Sequence, residues 1–177
     1  MATLQAIRAG DMPGLLALNN AHAEELSLLT TAEFARLVNT AYLAIRATTA
    51  AAFLLAFDQD TDYASPNFLW MRERFDRFVY IDRIAVAAEA RGRGLARQLY
   101  AAVFATAARA GHVRVVCEVN REPPNPTSDA FHRAMGFVEI GSADTMDGGK
   151  SVRYFARAID TADDTAAVSS LPAAREA

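Results

Sequence analysis

The stretch "EARGRGLARQL", Glu89–Leu99, lies between an apolar run at 78–86 and an amphipathic run at 94–110. Its central seven residues, Arg91–Arg97, hold three arginines and two glycines. In "LARQLYAAVFATAARAG", Leu95, Leu99 and Val103 recur every fourth residue and Gly111 supplies a stop, so the run predicts a helix. "FVYIDRIAV" before it and "HVRVVCEV" after it read as strands. A strand, a helix and a second strand in such close succession predict a parallel pair with the helix as its crossover. The glycine-rich turn then presents unpaired backbone N–H groups and the positive end of the helix dipole. With Arg91, Arg93 and Arg97 alongside, the turn is predicted to hold a phosphate rather than to be a merely solvated loop.

Several phosphate binders are excluded by particular residues. A Walker A loop needs Gly-Lys-Ser/Thr, which the stretch lacks. A dinucleotide fingerprint needs a third glycine where Arg97 stands, too bulky for close helix–strand packing. A kinase glycine loop joins two strands rather than a strand and a helix. An arginine-glycine RNA patch would need more repeats with aromatic platforms nearby. The net charge of −3 also argues against nucleic acid as a partner.

The remaining segments frame this unit. At 177 residues the chain fits one domain, expected over 1–160, with an unperiodic tail at 161–177 expected to be disordered. A strand in "TLQAIRAG" precedes a helix predicted from an Asp11 cap through Glu25, and Thr30 with Glu33 has capping-box spacing for the next helix. "YLAIRA" and "AAFLLAFD" predict a hairpin, and "FVEIGSA" and "SVRYFARAI" predict another around "MDGGK". "TSDAFHRAM" predicts a short helix capped by Thr127 or Ser128. Residues 59–77 read as a long insertion exposing Tyr63, Phe68, Trp70 and Met71 beside Arg72 and Arg74. That loop could line a substrate entrance, with Trp70 and Arg72 binding substrate, or cover a homodimer interface. Neither a signal peptide nor a membrane span is apparent, and one cysteine suits a reducing compartment, so a cytoplasmic location is expected.

The chain resembles the GNAT superfamily of acyl-CoA-dependent N-acyltransferases. That family's pyrophosphate loop is written Gln/Arg-x-x-Gly-x-Gly/Ala, which Arg91-x-x-Gly94-x-Ala96 satisfies. In the register two residues earlier Gly92 and Gly94 match, but Glu89 departs from the pattern. A second family pattern, Asn-x-x-Ala/Ser-x-x-Leu-Tyr-x-x-x-Gly-Phe, matches "NPTSDAFHRAMGF" at Asn125, Ser128, Gly136 and Phe137, with His132 in the tyrosine position. The resemblance implies a single mixed α/β domain, a central twisted mixed sheet flanked by helices. It implies acetyl-CoA as co-substrate, without a metal, and a small-molecule or peptide amine as acceptor. Coenzyme contacts are implied for Ile84, Ala85 and Val86, for the loop Arg91, Gly92, Arg93, Gly94, Leu95, Ala96 and Arg97, and for Asn125 and Ser128.

Acetyl transfer to an amine needs a neutral amine, a polarised carbonyl and an exit for the thiolate. A backbone N–H near Val86, freed where parallel strands splay, could stabilise the oxyanion, and Asn125 is a pantetheine ligand or a turn residue before Pro126. His132 is expected as general acid, against a reading as a packed helix histidine. Three carboxylate sites compete as general base. Asp82 could instead pair with Arg83 or Arg77, Glu118 could pair with Arg114 or Asn120, and Glu24 with Glu25 could bind the acceptor or be solvated. Cys117 alternates with Val113, Val115 and Val119 and reads as core. His22 and His112 read as surface or capping residues. A non-catalytic acyl-CoA sensor is the alternative function.

Overall fold

The computed structural model describes residues 3–144 and 151–160. Seven strands form one sheet in the order β1-β2-β3-β4-β5-β7-β6. They are β1 (Leu4–Ala6), β2 (Leu43–Ala47), β3 (Ala52–Asp58), β4 (Val79–Val86), β5 (Arg114–Glu122), β6 (Val138–Asp144) and β7 (Ser151–Ala158). Every neighbouring pair is antiparallel except β4 and β5, the pair joined by the crossover helix α5 (Leu95–Arg109). The second predicted hairpin is present as β6 and β7, while its "MDGGK" turn and the 161–177 tail lie outside the described residues.

Helices cover both faces. On one, α5 buries Leu95, Leu99 and Val103 against Val79, Ile81, Val115 and Cys117. On the other, α1 (Met12–Asn20), α3 (Thr31–Thr40) and α4 (Pro66–Arg72) pack Leu15, Phe34, Leu37, Phe68 and Met71 against Phe53, Phe57, Tyr80 and Val116. Complete burial of Leu99 or Phe68 removes enough apolar surface to contribute about 1.5–3 kcal/mol each. Cys117 is core, as its alternation predicts. Val113, which precedes β5, is half exposed instead.

Three local expectations need correction. The first helix does not reach Glu25: it ends at Asn20, and α2 (Ala23–Leu26) follows after His22 turns its Nδ1 onto the Leu18 carbonyl, 2.9 Å away. Asp11 spends its carboxylate on Arg46 and the Arg8 backbone N–H rather than on capping α1. The insertion at 59–77 contains α4, with Pro66 in its first turn, and its Phe68 and Met71 are wholly buried. Of the aromatics expected on the surface, Tyr63 stacks on Phe57 and Trp70 on Tyr154. No helix among the described residues is long and apolar enough to cross a membrane.

Candidate active site

The site begins where β4 and β5 part. They pair only at Val79 with Val115 and Tyr80 with Val116. Beyond that point β4 continues to Val86 and β5 to Glu122, opening a fork toward their C-terminal ends. A bulge contributes. Leu55 of β3 faces Arg83 and Ala56 faces Ile81, so Asp82 is an extra residue on β4. Bulges raise the local twist and re-aim side chains. Successive strand residues normally point to opposite faces; here Asp82 and Arg83 meet as a buried ion pair at 2.6 Å.

The loop at 91–94 leads from the C-terminal end of β4 into α5. Gly92 and Gly94 both adopt φ +74°, a left-handed backbone that glycine takes without penalty, and Gly94 is the residue at which α5 begins. Residues 91–94 and Arg97 are exposed. The helix start with its N–H groups and the exposed residues Arg91, Arg93 and Arg97 thus lie on one solvent-facing stretch. The chemistry of that donor set suits a pyrophosphate. Next to it, a cleft of about 550 Å³ separates the loop from the α1–α2 segment, lined in part by His22, Glu24, Glu25, Ala87, Glu89 and Arg91. His22 bridges the cleft. Its Nδ1–H donates to Leu18, leaving Nε2 to accept from Arg91 at 3.1 Å.

Two carboxylates stand at the base of the fork in different states of engagement. Both oxygens of Asp82 are used, one by the Tyr63 hydroxyl at 2.6 Å and one by Arg83. Arg83 reaches on to Asn19 of α1 at 2.9 Å, so Asp82 belongs to a structural chain, as its pairing alternative has it. Glu118 of β5 accepts one hydrogen bond, from Asn67 Nδ2 at 3.2 Å. Arg114, its expected ion-pair partner, lies over the Phe75 ring instead. Burial and the nearby Asp82 charge push the Glu118 pKa up to about 7, against the opposite pull of Tyr80 and Asn67. The Tyr80 hydroxyl lies near the carboxyl, yet neither it nor Glu118 Oε2 meets a well-formed hydrogen-bond partner among the described residues. A carboxyl with an unclaimed oxygen that titrates near neutrality is suited to take up a proton.

His132 sits elsewhere, in the core between α6 (Pro126–Ala134) and α5. Its Nδ1–H donates to the Ser128 carbonyl at 2.7 Å, so Nε2 accepts from the Tyr100 hydroxyl at 2.7 Å. Burial holds its pKa below the usual histidine value, against the Ser128 bond that favours the proton. A neutral ring engaged at both nitrogens does not offer the free acid expected of it. Asn125 caps α6, its Oδ1 accepting from Ser128 N–H at 3.1 Å, in place of the expected Thr127 or Ser128 cap. His112 is buried against Tyr42, not on the surface.

The cleft brings Glu24 and Arg91 together, while Ile84, Ala85 and Val86 lie on the parted end of β4, and Glu118 lies two residues past the last β4–β5 pair, outside the cleft lining. Trp70 and Arg72 do not line the cleft. Arg72 lies over Phe68, and Trp70 packs on Tyr154 and so close to Gly141 that a Cβ there would sit 2.9 Å from the indole. Sequence reading missed Asn67 and Asn19, and put Tyr63 on an exposed loop rather than against Asp82. A signal for Asn67 existed in Ser65-Pro66, a helix-start pair just ahead of it.

The chain belongs to the GNAT acetyltransferase family, whose model, the acetyltransferase (GNAT) family, matches residues 18–137. It is an acetyltransferase of mixed α/β fold. Among solved structures it is similar to the ribosomal-protein-S18-alanine N-acetyltransferase from Escherichia coli, at 19% identity and TM-score 0.66, over 91% of this chain and 96% of that one. An N-acetyltransferase from Staphylococcus aureus Mu50 gives 16% identity and TM-score 0.67, over 90% and 99%. A GNAT acetyltransferase from Streptococcus pneumoniae gives 16% and 0.67, over 90% and 100%. Likeness at these identities concerns the fold. No curated protein matches the sequence.

Proposed function

We propose that the protein moves an acetyl group from acetyl-CoA directly to the amine of a small-molecule or peptide acceptor. The observation that carries this reading is the fork itself: β4 and β5 part after two residue pairs, with a left-handed glycine loop at the mouth and Glu118 at the base. In this reading the backbone of residues 91–97 and the three arginines hold the pyrophosphate. The parted edge of β4 at Ile84–Val86 holds the pantetheine arm through its backbone, with Asn125 and Ser128 beyond it. Glu24 borders the acceptor's side of the cleft.

The residues' chemistry follows. Glu118 takes the proton that the amine loses as it attacks the thioester carbonyl, directly or through one water. A β4 backbone N–H freed at the fork stabilises the oxyanion. As the new C–N bond forms and the C–S bond breaks, the thiolate takes a proton from solvent, since both His132 nitrogens are engaged.

Replacing Gly94 by Val forces a β-branched residue to φ +74° at the helix start, where backbone must meet phosphate. Calorimetry with acetyl-CoA should show affinity falling at least about tenfold, equivalent to ~1.4 kcal/mol, in a variant whose circular dichroism is unchanged. Equal affinity in the folded variant overturns the assignment of the loop. Coenzyme binding without thiol release across a panel of amines would support the sensor instead.

A further inference from the structure

Glu118 shares a face and a register position with Tyr154 of β7, and Asn67 of α4 bridges the two. The bridge has a defined polarity. An amide has one donor end and one acceptor end. The Tyr154 hydroxyl donates to Asn67 Oδ1 at 2.9 Å, which leaves Asn67 Nδ2 turned to Glu118 Oε1 at 3.2 Å. Tyr154 is itself fixed, stacked on Trp70 with ring centroids 4.0 Å apart. Phe68 and Met71, both fully buried, anchor α4 to the sheet and so place Asn67 over β5.

We propose that Asn67 is a positioning residue for this acetyltransferase: locked by Tyr154, its amide holds Glu118 Oε1 so that Oε2 is left to receive the acceptor's proton. The proposal rests on the reading of Glu118 as proton acceptor. The titratable groups that bear on Glu118 are Tyr80 and Asp82 of β4, Tyr63 before α4 and Tyr154 of β7, with Cys117 of its own strand and Tyr100 of α5 on the other side of the sheet. Asp82 repels a second negative charge, and its own neutralising partner, Arg83, is turned to it and to Asn19. The Asn67 amide makes the well-formed hydrogen bond to Glu118, and with the nearby Tyr80 hydroxyl it favours the ionised form.

The test needs no knowledge of the acceptor. In full-length protein labelled with ¹³C at glutamate side-chain carboxyls, the Glu118 resonance is assigned by its loss in Glu118→Gln. Its midpoint in the parent protein is expected near 7. Asn67→Ala should raise that midpoint by about one unit, the scale of one hydrogen bond to a charged group. Tyr154→Phe, which keeps the ring under Trp70 but frees the amide to flip, should move it the same way by less. In Asn67→Ala/Tyr154→Phe the two shifts should not add, because one bond acts through the other. A midpoint unmoved in both single variants overturns the role of Asn67 and leaves Glu118 as base untouched. Should Asn67→Ala fail to fold, Tyr154→Phe alone decides. The reading beneath is tested separately: Glu118→Gln that releases thiol from acetyl-CoA at the parent rate, with an amine found by screening, removes Glu118 as base and the proposal with it.

Discussion

His132 and Glu118 illustrate how little residue type says about chemistry until burial and partners are known. Both were candidates for proton transfer on spacing and type. Burial depresses the histidine's pKa and raises the glutamate's, because in each case desolvation penalises the charged form. The outcomes differ because His132 is saturated by Tyr100 and Ser128, whereas Glu118 keeps an unclaimed oxygen. Replacing His132 by Phe therefore leaves the Tyr100 hydroxyl alone in the core, at a cost of about 1–3 kcal/mol. Thermal denaturation should show a melting temperature lower by a few degrees. Turnover of the folded enzyme should stay within about threefold of the parent's, far short of the 10² or more typical of a lost acid–base group. A hundredfold loss of turnover at unchanged stability would return the acid role to His132.

Elements were legible where local chemistry closes on itself. The Thr30–Glu33 capping box is present in both directions, with Glu33 N–H to Thr30 Oγ1 at 3.3 Å and Thr30 N–H to Glu33 at 2.7 Å. Helix α5 runs as its four-residue spacing predicts, and Gly111 follows it at φ +74°. The α4 segment was not legible, because its aromatics suggest a sticky loop as readily as a helix facing the sheet. What fixes it is contact with β6 and β7: Trp70 lies on Tyr154 and against Gly141. Gly141→Ala places a methyl about where the indole now sits, so overpacking should cost about 1–3 kcal/mol in urea denaturation. Combined with Trp70→Phe, which makes room, the loss should be smaller than the sum of the two single changes. Additive losses would mean that the Trp70–Gly141 contact does not hold α4 in place.

At the scale of the molecule, a buried polar chain ties the N-terminal helices to the fork. It runs from Tyr63 through Asp82, Arg83 and Asn19 to the Ser27 carbonyl, the last bond spanning 3.1 Å. Ser27 sits at φ +67°, a conformation that only a well-determined turn imposes on serine. Asn19→Ala removes both of its anchors at once. Hydrogen exchange should then accelerate across 21–30, beside the cleft, while the amides of β5 and β7 stay protected. Unchanged exchange at 21–30 would show that the chain does not hold this segment. The crossover unit, the Thr30-capped helix α3, the periodic helix α5, the paired strands and the glycine loop were determined by the sequence alone, because each depends on φ preferences and hydrophobic period within a few neighbouring residues. Which carboxylate keeps an unclaimed oxygen, where α4 lies and how Asn19 meets Arg83 were decided only by the tertiary structure. These depend on a bulge at Asp82, on the parting of β4 from β5, and on partners as far apart in sequence as Asn67 and Tyr154, none of which leaves a local pattern.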